Sequence, residues 1–348
     1  MNTYTIVGGG IAGASIGYHL AKDGHKVTLY DRRDAGQATK ASAGIIAPWI
    51  SQKRNKDWYK LVTAGARYYP EFVSSIEAET GVSTGYKQEG IISLFKDNAV
   101  LEKGYKRIYS KKENAPEMGD VYKLKRHEVK EMHPHLTDLY PGVYVEGGGQ
   151  IEGANLLKAL KAGFIHHGGT WLDKDFVPDH DHASGLVIYS TGAWAIEQGY
   201  APTIEHQRSE VLHFEVKNDQ KVKHAPVVMA LGPIYLVELG ENKYAIGTTH
   251  EKTESFSTEP SVENYEYLKD LAHRYFPDSE IEVIDMMVGL KPFTRDFMPY
   301  IGYAGEYTFI ANGLGSTGLT ASPILGKEIA RYLNNQTTVL DFDDYSYI

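Results

Sequence analysis

Three glycines near the start of the chain, Gly8, Gly10 and Gly13, stand at the spacing G-x-G-x-x-G. An acid, Asp31, closes the next apolar run, Lys26-Val27-Thr28-Leu29-Tyr30. This spacing suits binding of a pyrophosphate. Gly8 permits a tight turn, Gly10 lets a phosphate approach the backbone, and Gly13 lets a helix pack closely on a strand. The N-terminus of that helix offers N–H groups and a partial positive charge. Asp31 can accept hydrogen bonds from both hydroxyls of a ribose. A glycine-rich turn alone is weak evidence, but here each neighbouring element stands in order. Thr3–Val7 reads as a buried strand. Ile11, Ala14, Tyr18 and Ala21 fall at helical spacing before the helix stop at Gly24. The unit predicts a dinucleotide site and leaves NAD against FAD open.

Further segments carry chemistry or small residues. Ala38-Thr39-Lys40-Ala41-Ser42-Ala43-Gly44-Ile45-Ile46 could lie against a flat ligand or be an ordinary loop. Residues 187–194 read as a strand and a tight turn through Thr191 and Gly192. Gly289-Leu290-Lys291-Pro292 presents one cation. Phe309–Asn312 reads as a strand that leads through Leu314-Gly315-Ser316-Thr317-Gly318-Leu319-Thr320 into a helix. The Asp/His run at 179–182, His166-His167 and His133-Pro134-His135 lack the spacing of a metal frame and read as solvated turns.

Composition narrows the classes. The chain has 348 residues, 36 Lys plus Arg against 45 Asp plus Glu, and a formal net charge of −9. That balance argues against nucleic acid as a partner. With 42% hydrophobic and 23% charged residues, the chain is globular, and its length suits two domains, or one large α/β domain with a second lobe. It has no cysteine, which excludes disulfides, thiol catalysis, Cys-ligated metals and a Cys-linked flavin. No apolar run approaches the roughly 20 residues of a membrane helix. No signal peptide is visible at the N-terminus, and the expected location is the cytoplasm.

Taken in order, GGGIAGASIGYHLAKDG, ATKASAGIIAP, VIYSTGAW, IYLVELGENKYAIGTTHE, VGLKPFTRDFMPYIG and ANGLGSTGLTASPILG resemble the FAD-dependent amino acid oxidase family. Glycine oxidase and D-amino acid dehydrogenase belong to it, and the resemblance covers nearly the whole chain. It implies an α/β fold with an α+β second lobe. A Rossmann-type FAD-binding domain would come from residues 1–75, 140–200 and 286–348. A discontinuous, antiparallel-sheet substrate domain would come from 76–139 and 201–285. Strand-like alternation in Val211–Val216 and Ile234–Leu239 agrees.

The same resemblance implies FAD, held non-covalently, with attachment through a histidine left open. Ile11 and Ala12 would lie at the pyrophosphate, Asp31 and Arg32 around the adenosine, and Val177 at the adenine. Ala38 and Thr39 would continue the phosphate contact, with Ser42 and Ile46 in the same cofactor-lining stretch as Ala43, Gly44 and Ile45 at the ring. Thr191 and Gly192 would also line the cofactor. Leu314 to Thr320 would face the pyrimidine, where a helix N-terminus favours the anionic reduced ring. The implied reaction is oxidation of a small carboxylated amine at Cα, with oxygen or an electron carrier as acceptor and the oligomer left open. The chain departs from the family at G-L-R-P. Lys291 replaces the arginine that clamps the substrate carboxylate and lacks its planar fork. Ser316 stands where glycine oxidase has a second basic residue. Lys291 is the candidate anchor or a structural ion pair, and Tyr235 a carboxylate partner or a core aromatic. Arg295 lies nearby, though its match in the family usually faces solvent, and Trp49 and Tyr300 are either pocket walls or, as is commoner for aromatics in such places, core packing. A shortened link between Gly169 and Val187 replaces a family hairpin.

Overall fold

The computed structural model describes residues 1–178, 181, 185–198, 204–217, 221–222 and 224–346. Of the Asp/His run, Asp179, His180 and His182 lie outside the described residues.

The fold is mixed α/β, with one sheet largely parallel and one largely antiparallel. The first sheet runs Tyr300–Gly305, Thr308–Asn312, Leu186–Tyr189, Thr3–Val7, Lys26–Tyr30, Thr170–Leu172. All neighbours are parallel except the antiparallel edge at Tyr300–Gly305. Ile6, Leu29, Ile188 and Phe309 are fully buried, as expected where helices cover a parallel sheet. Helix Ile11–Lys22 packs against Gly153–His166 and Gly318–Leu333, and the latter packs against Lys56–Thr80.

These helices approach each other at the backbone. A Cβ on Gly326 would lie 2.5 Å from the Ser15 carbonyl oxygen, and one on Gly65 would lie 2.1 Å from that of Thr320. Helix Lys56–Thr80 begins at an Asn55 cap, whose side chain accepts from the Asp57 and Trp58 N–H groups at 2.9 Å. Inside helix Gly318–Leu333, Pro323 cannot donate to the Leu319 carbonyl. The buried Tyr69 hydroxyl supplies the missing donor at 2.5 Å. The proline is thereby tolerated, and the start of this helix is tied to Lys56–Thr80.

The second sheet runs Glu251–Lys252, Glu205–Lys217, Lys243–Gly247, Tyr235–Gly240, Val227–Met229, Ile91–Leu94, Gly142–Val145, Val121–Leu124. Glu280–Phe293 pairs antiparallel along Glu205–Lys217. Strand alternation sorts its faces. Leu212, Phe214 and Val216 join Leu268, Leu271 and Phe276 in one core beneath helix Val262–Tyr275. Ser209 and Val211 point the other way, into a cavity between the two sheets. No helix among the described residues is long and apolar enough to cross a membrane.

We propose the division of the chain into residues 1–75, 140–200 and 286–348 against 76–139 and 201–285, with two adjustments from strand pairing. Gly142–Val145 hydrogen-bonds to Ile91–Leu94 and Val121–Leu124, which places it in the larger sheet. Glu280–Phe293 crosses residue 286 as one strand.

Gly65→Ala tests the helix contact. Alanine gains about 1 kcal/mol in helix propensity, but its methyl would meet a backbone oxygen, and overpacking of this kind costs about 1–3 kcal/mol. We expect a net lowering of Tm by several degrees in a thermal melt, where an open helical site would give a rise.

Candidate active site

The glycine turn folds as its residue types require. Gly8 has φ of 102°, and a Cβ there would lie 2.4 Å from the Ser190 carbonyl oxygen. A Cβ on Gly13 would lie 2.0 Å from the Gly8 oxygen, so the helix sits directly on the turn. Gly9 is confined as well, by the Asp31 carboxylate at 2.4 Å. Gly10 differs from all three: its Cβ would meet only the Thr39 hydroxyl, at 3.7 Å. The space beside Gly10 is therefore on the cavity side, where a Cβ would obstruct a bound group.

Gly10 is the N-cap of helix Ile11–Lys22 and supplies no capping side chain. The Thr39 hydroxyl accepts from the Ile11 N–H at 3.1 Å. That N–H is already engaged, so Thr39 extends the helix terminus toward the cavity. Asp31 is buried at the strand end. Its carboxylate accepts from the Arg33 N–H at 2.6 Å and from the Gln37 amide at 3.0 Å. Arg32 pairs with Glu197 at 2.6 Å and with Asp34 at 2.8 Å.

The small-residue loop has two duties. One side lines the cavity, through Ala38, Thr39, Ser42, Ala43, Gly44 and Ile45. The other side is pressed on residues 149–153. Gly44 (φ 69°) accepts from the Ile151 N–H at 2.9 Å, and a Cβ on it would lie 1.7 Å from the Ile151 oxygen. A Cβ on Gly153 would in turn lie 2.1 Å from the Thr39 oxygen. Glycine at 44 is thus explained by packing alone.

One cavity of about 490 Å3 gathers most of the sequence-predicted residues. Gly8, Gly10, Ile11, Ala12, Asp31 and Arg32 line it at one end. Thr191, Gly192 and the whole stretch Leu314 to Thr320 line it too, with Tyr235 and Lys291. The Thr191 hydroxyl donates to Gln198 at 2.8 Å, and Asn312 donates to the Gly192 carbonyl at 3.1 Å. Helix Gly318–Leu333 opens toward the cavity with no capping side chain, and Thr320 donates to the Ile45 carbonyl at 3.2 Å.

Other candidates fall outside the lining. Gly13 packs beneath the turn, as its place in the glycine motif requires, and Ile46 lies in the core. Val177 does not line the cavity and is 41% exposed. Phe176 takes that position, packed on Tyr30 and Tyr189. Trp49 is 1% exposed in the core, and the Tyr300 hydroxyl donates to the Tyr303 carbonyl, so neither is a pocket wall. Arg295 faces solvent, 3.9 Å from Glu205. His133 and His135 are buried against Tyr244, and His167 pairs with Glu79. His133 and His135 are thus structural partners rather than solvated turns, whereas His167 lies in a partly exposed turn after helix Gly153–His166 and His166 is exposed. Among the described residues, no group of three or more His, Asp or Glu could hold a metal ion.

Lys291 sits at the end of strand Glu280–Phe293, opposite Gln207, and its segment is fixed by the Leu290 N–H donating to Gly36 at 2.8 Å. Its Nζ lies 2.7 Å from His250 Nδ1. Burial, then the charge of Lys53, holds the Lys291 amine down to about 8. Partial burial and Lys291 hold His250 down to about 4, so it is neutral near pH 7 and accepts from the lysine. Burial raises the Tyr235 phenol well above its ordinary value, so it serves as a hydrogen-bond donor and not as a base. Gln37, Lys53, Trp58 and His250 also line the cavity and were not singled out in the sequence. Loops and a helix start bring them in from separate regions, and no local spacing marks them.

Residues 3–332 match the family model described as FAD dependent oxidoreductase, and the chain belongs to that family. It is 34% identical over 366 residues to the uncharacterized oxidoreductase YurR of Bacillus subtilis, covering 99% of this chain and 98% of that protein. Glycine oxidase of Geobacillus kaustophilus is 26% identical over 368 residues, covering 98% and 95%. The crystal structure of iminodiacetate oxidase from Chelativorans sp. BNC1 superposes with a TM-score of 0.92 at 26% identity, covering 99% and 98%.

The residues present fit the family's dinucleotide. The space beside Gly10 would be filled by a Cβ, and the helix terminus there carries no cap of its own. Gly10→Val should therefore leave the apoprotein folded, with an unchanged thermal transition, and remove tightly bound FAD. Flavin absorbance after gel filtration measures this. A yellow variant with full FAD content would place the pyrophosphate elsewhere.

Proposed function

We propose that this chain holds FAD non-covalently in the cavity and oxidises a small amine next to a carboxylate. The observation that carries the reading is Lys291: a half-buried cation on the cavity wall with a neutral histidine as partner and, among the described residues, no carboxylate. A buried cation of this kind calls for an anion from outside.

Each residue then has a task. Asp31, positioned by Gln37, takes the ribose hydroxyls. The helix terminus at Gly10, with Thr39, takes the phosphates. Ala43 to Ile45 would hold the ring, and the start of helix Gly318–Leu333 would favour negative charge on it. Bound FAD would supply the acceptor for a hydride leaving the substrate Cα. Lys291 takes the substrate carboxylate, and Tyr235 donates a second hydrogen bond to it. Substrate held this way needs no strong base once its amine is neutral, because position alone presents the Cα–H. The imino acid produced hydrolyses to an oxo acid and an amine, and oxygen or an electron carrier removes the electrons. Two relatives are named for glycine and iminodiacetate, both of which carry an amine one carbon from a carboxylate. The 26% identity to each supports this substrate class.

Anaerobic mixing with glycine, N-methylglycine and iminodiacetate should bleach the visible flavin band. Failure of every such amine would end the proposal. Lys291→Met should raise KM about 10- to 100-fold, the loss of one charged hydrogen bond, with FAD content unchanged.

The pH dependence has a definite sign. The Lys291 charge is present below its value of about 8 and is lost above it. The substrate amine must lose its proton as pH rises. We expect kcat/KM to rise and then fall, with the falling limb near pH 8 absent in Lys291→Met.

A further inference from the structure

The charged residues that line the cavity are divided between its ends. The carboxylates are Asp31, Asp34 and Asp175, all near the strand end at Asp31. Cations accompany them there. Arg32 lies 2.8 Å from Asp34 and 3.9 Å from Asp175, and Lys174 lies 2.5 Å from Asp181. The other end holds Lys53 and Lys291, with His250, and among the described residues no carboxylate lines it. Among the described residues, neither lysine has an acidic partner. Lys53 instead lies over the Trp58 ring, 4.6 Å from its centroid, with the Phe297 ring at 5.8 Å. The two ammonium groups oppose each other: after burial, the charge of Lys53 is what lowers the Lys291 amine.

Lys53 does not reach this place on a loose loop. The Lys53 N–H donates to the Ser51 hydroxyl at 3.2 Å. Lys111, from the stretch after helix Asn98–Tyr109, donates to the Trp49 and Ser51 carbonyls at 2.7 Å each. The turn that precedes Lys53 is thereby pinned against the second lobe. Lys53 is exposed where it lines the cavity and Lys291 is partly buried, so among the described residues two like charges face one space without an acidic partner, an arrangement that two negative charges on a ligand would complement.

We propose that this end of the cavity is a two-cation site for an amine that bears two carboxylates. Lys291 holds the carboxylate next to the carbon that is oxidised, and Lys53 holds the second. The inference rests on the proposed function and narrows it. It assigns Lys53 as the residue that selects dicarboxylated over monocarboxylated amines.

The test compares iminodiacetate with N-methylglycine, which lacks one carboxylate, on the FAD-loaded enzyme. The expected kcat/KM is at least about tenfold higher for the diacid. In Lys53→Met that ratio should fall about 10- to 100-fold, and Lys53→Arg should retain most of it. A ratio near one in the unaltered enzyme, or one that Lys53→Met leaves unchanged, overturns the proposal. Equal loss for both amines also overturns it, because Lys53 would then serve the cofactor or the fold. FAD content and the melting curve of each variant show whether it is folded.

A binding arm separates this inference from the oxidation itself. Diglycolate and methoxyacetate are ether analogues that carry two carboxylates and one, and neither has an amine to oxidise. Titration followed by perturbation of the flavin spectrum should give tighter binding of diglycolate, lost in Lys53→Met. Selective diglycolate binding without bleaching by any amine would refute the reaction and keep the two-cation site. Bleaching by N-methylglycine without diacid selectivity would do the reverse.

Discussion

The structure depends on backbone lying against backbone at the base of the cavity. Helix Ile11–Lys22 rests on its own turn where Gly13 meets the Gly8 oxygen, and helix Gly318–Leu333 rests on it where Gly326 meets Ser15. Helix Lys56–Thr80 reaches the third contact at Gly65. No side chain larger than hydrogen fits these crossings without a shift. Two helix N-termini are thereby directed at one space, and their partial positive charges act on whatever occupies it. The Tyr69 bond to Leu319 belongs to the same arrangement, because it anchors the second terminus despite Pro323.

On this base the two sheets impose different electrostatics. The parallel sheet ends at Asp31, near Asp34, Asp175 and Glu197, which share one cation, Arg32. The antiparallel sheet delivers Lys291 and Tyr235 to the cavity, while Leu212, Phe214 and Leu236 join the apolar core and Glu238 of the Tyr235 strand is buried against Lys87. A neutral His250 leaves the lysine charge undiminished. The cavity therefore has an end where acids outnumber bases and an end lined by lysines, joined by a loop too small in its side chains to intrude.

Much of this was legible in the sequence where the signal was local. The glycine turn, its flanking strands and the terminal acid all fall within one stretch, and each constrains the next. The stretch from Leu314 to Thr320 was legible for the same reason. Sidedness was not. Trp49 and Tyr300 stood open between pocket wall and core, and Val177 rested on the resemblance alone, because which face a residue presents depends on partners far along the chain. Likewise Gly142–Val145 lies in the larger sheet because its neighbour is Ile91–Leu94, which no local pattern reveals. Lys53 and His250 come from irregular segments, where neither periodicity nor spacing marks a residue. Gly44 shows the converse: its type suggested a ligand, and packing on Ile151 already accounts for it.

The strand Glu280–Phe293 runs for 14 residues without interruption, from the outer part of the larger sheet to the wall that carries Lys291. It spans about 45 Å at the usual rise. Its ladder with Glu205–Lys217 shifts register once, between His213 and Phe214, where Ile284 stands without a register partner. A bulge of this kind bends a strand and increases its twist. One continuous strand thereby turns from a surface where Ile284 is exposed to a wall where Lys291 lines the cavity.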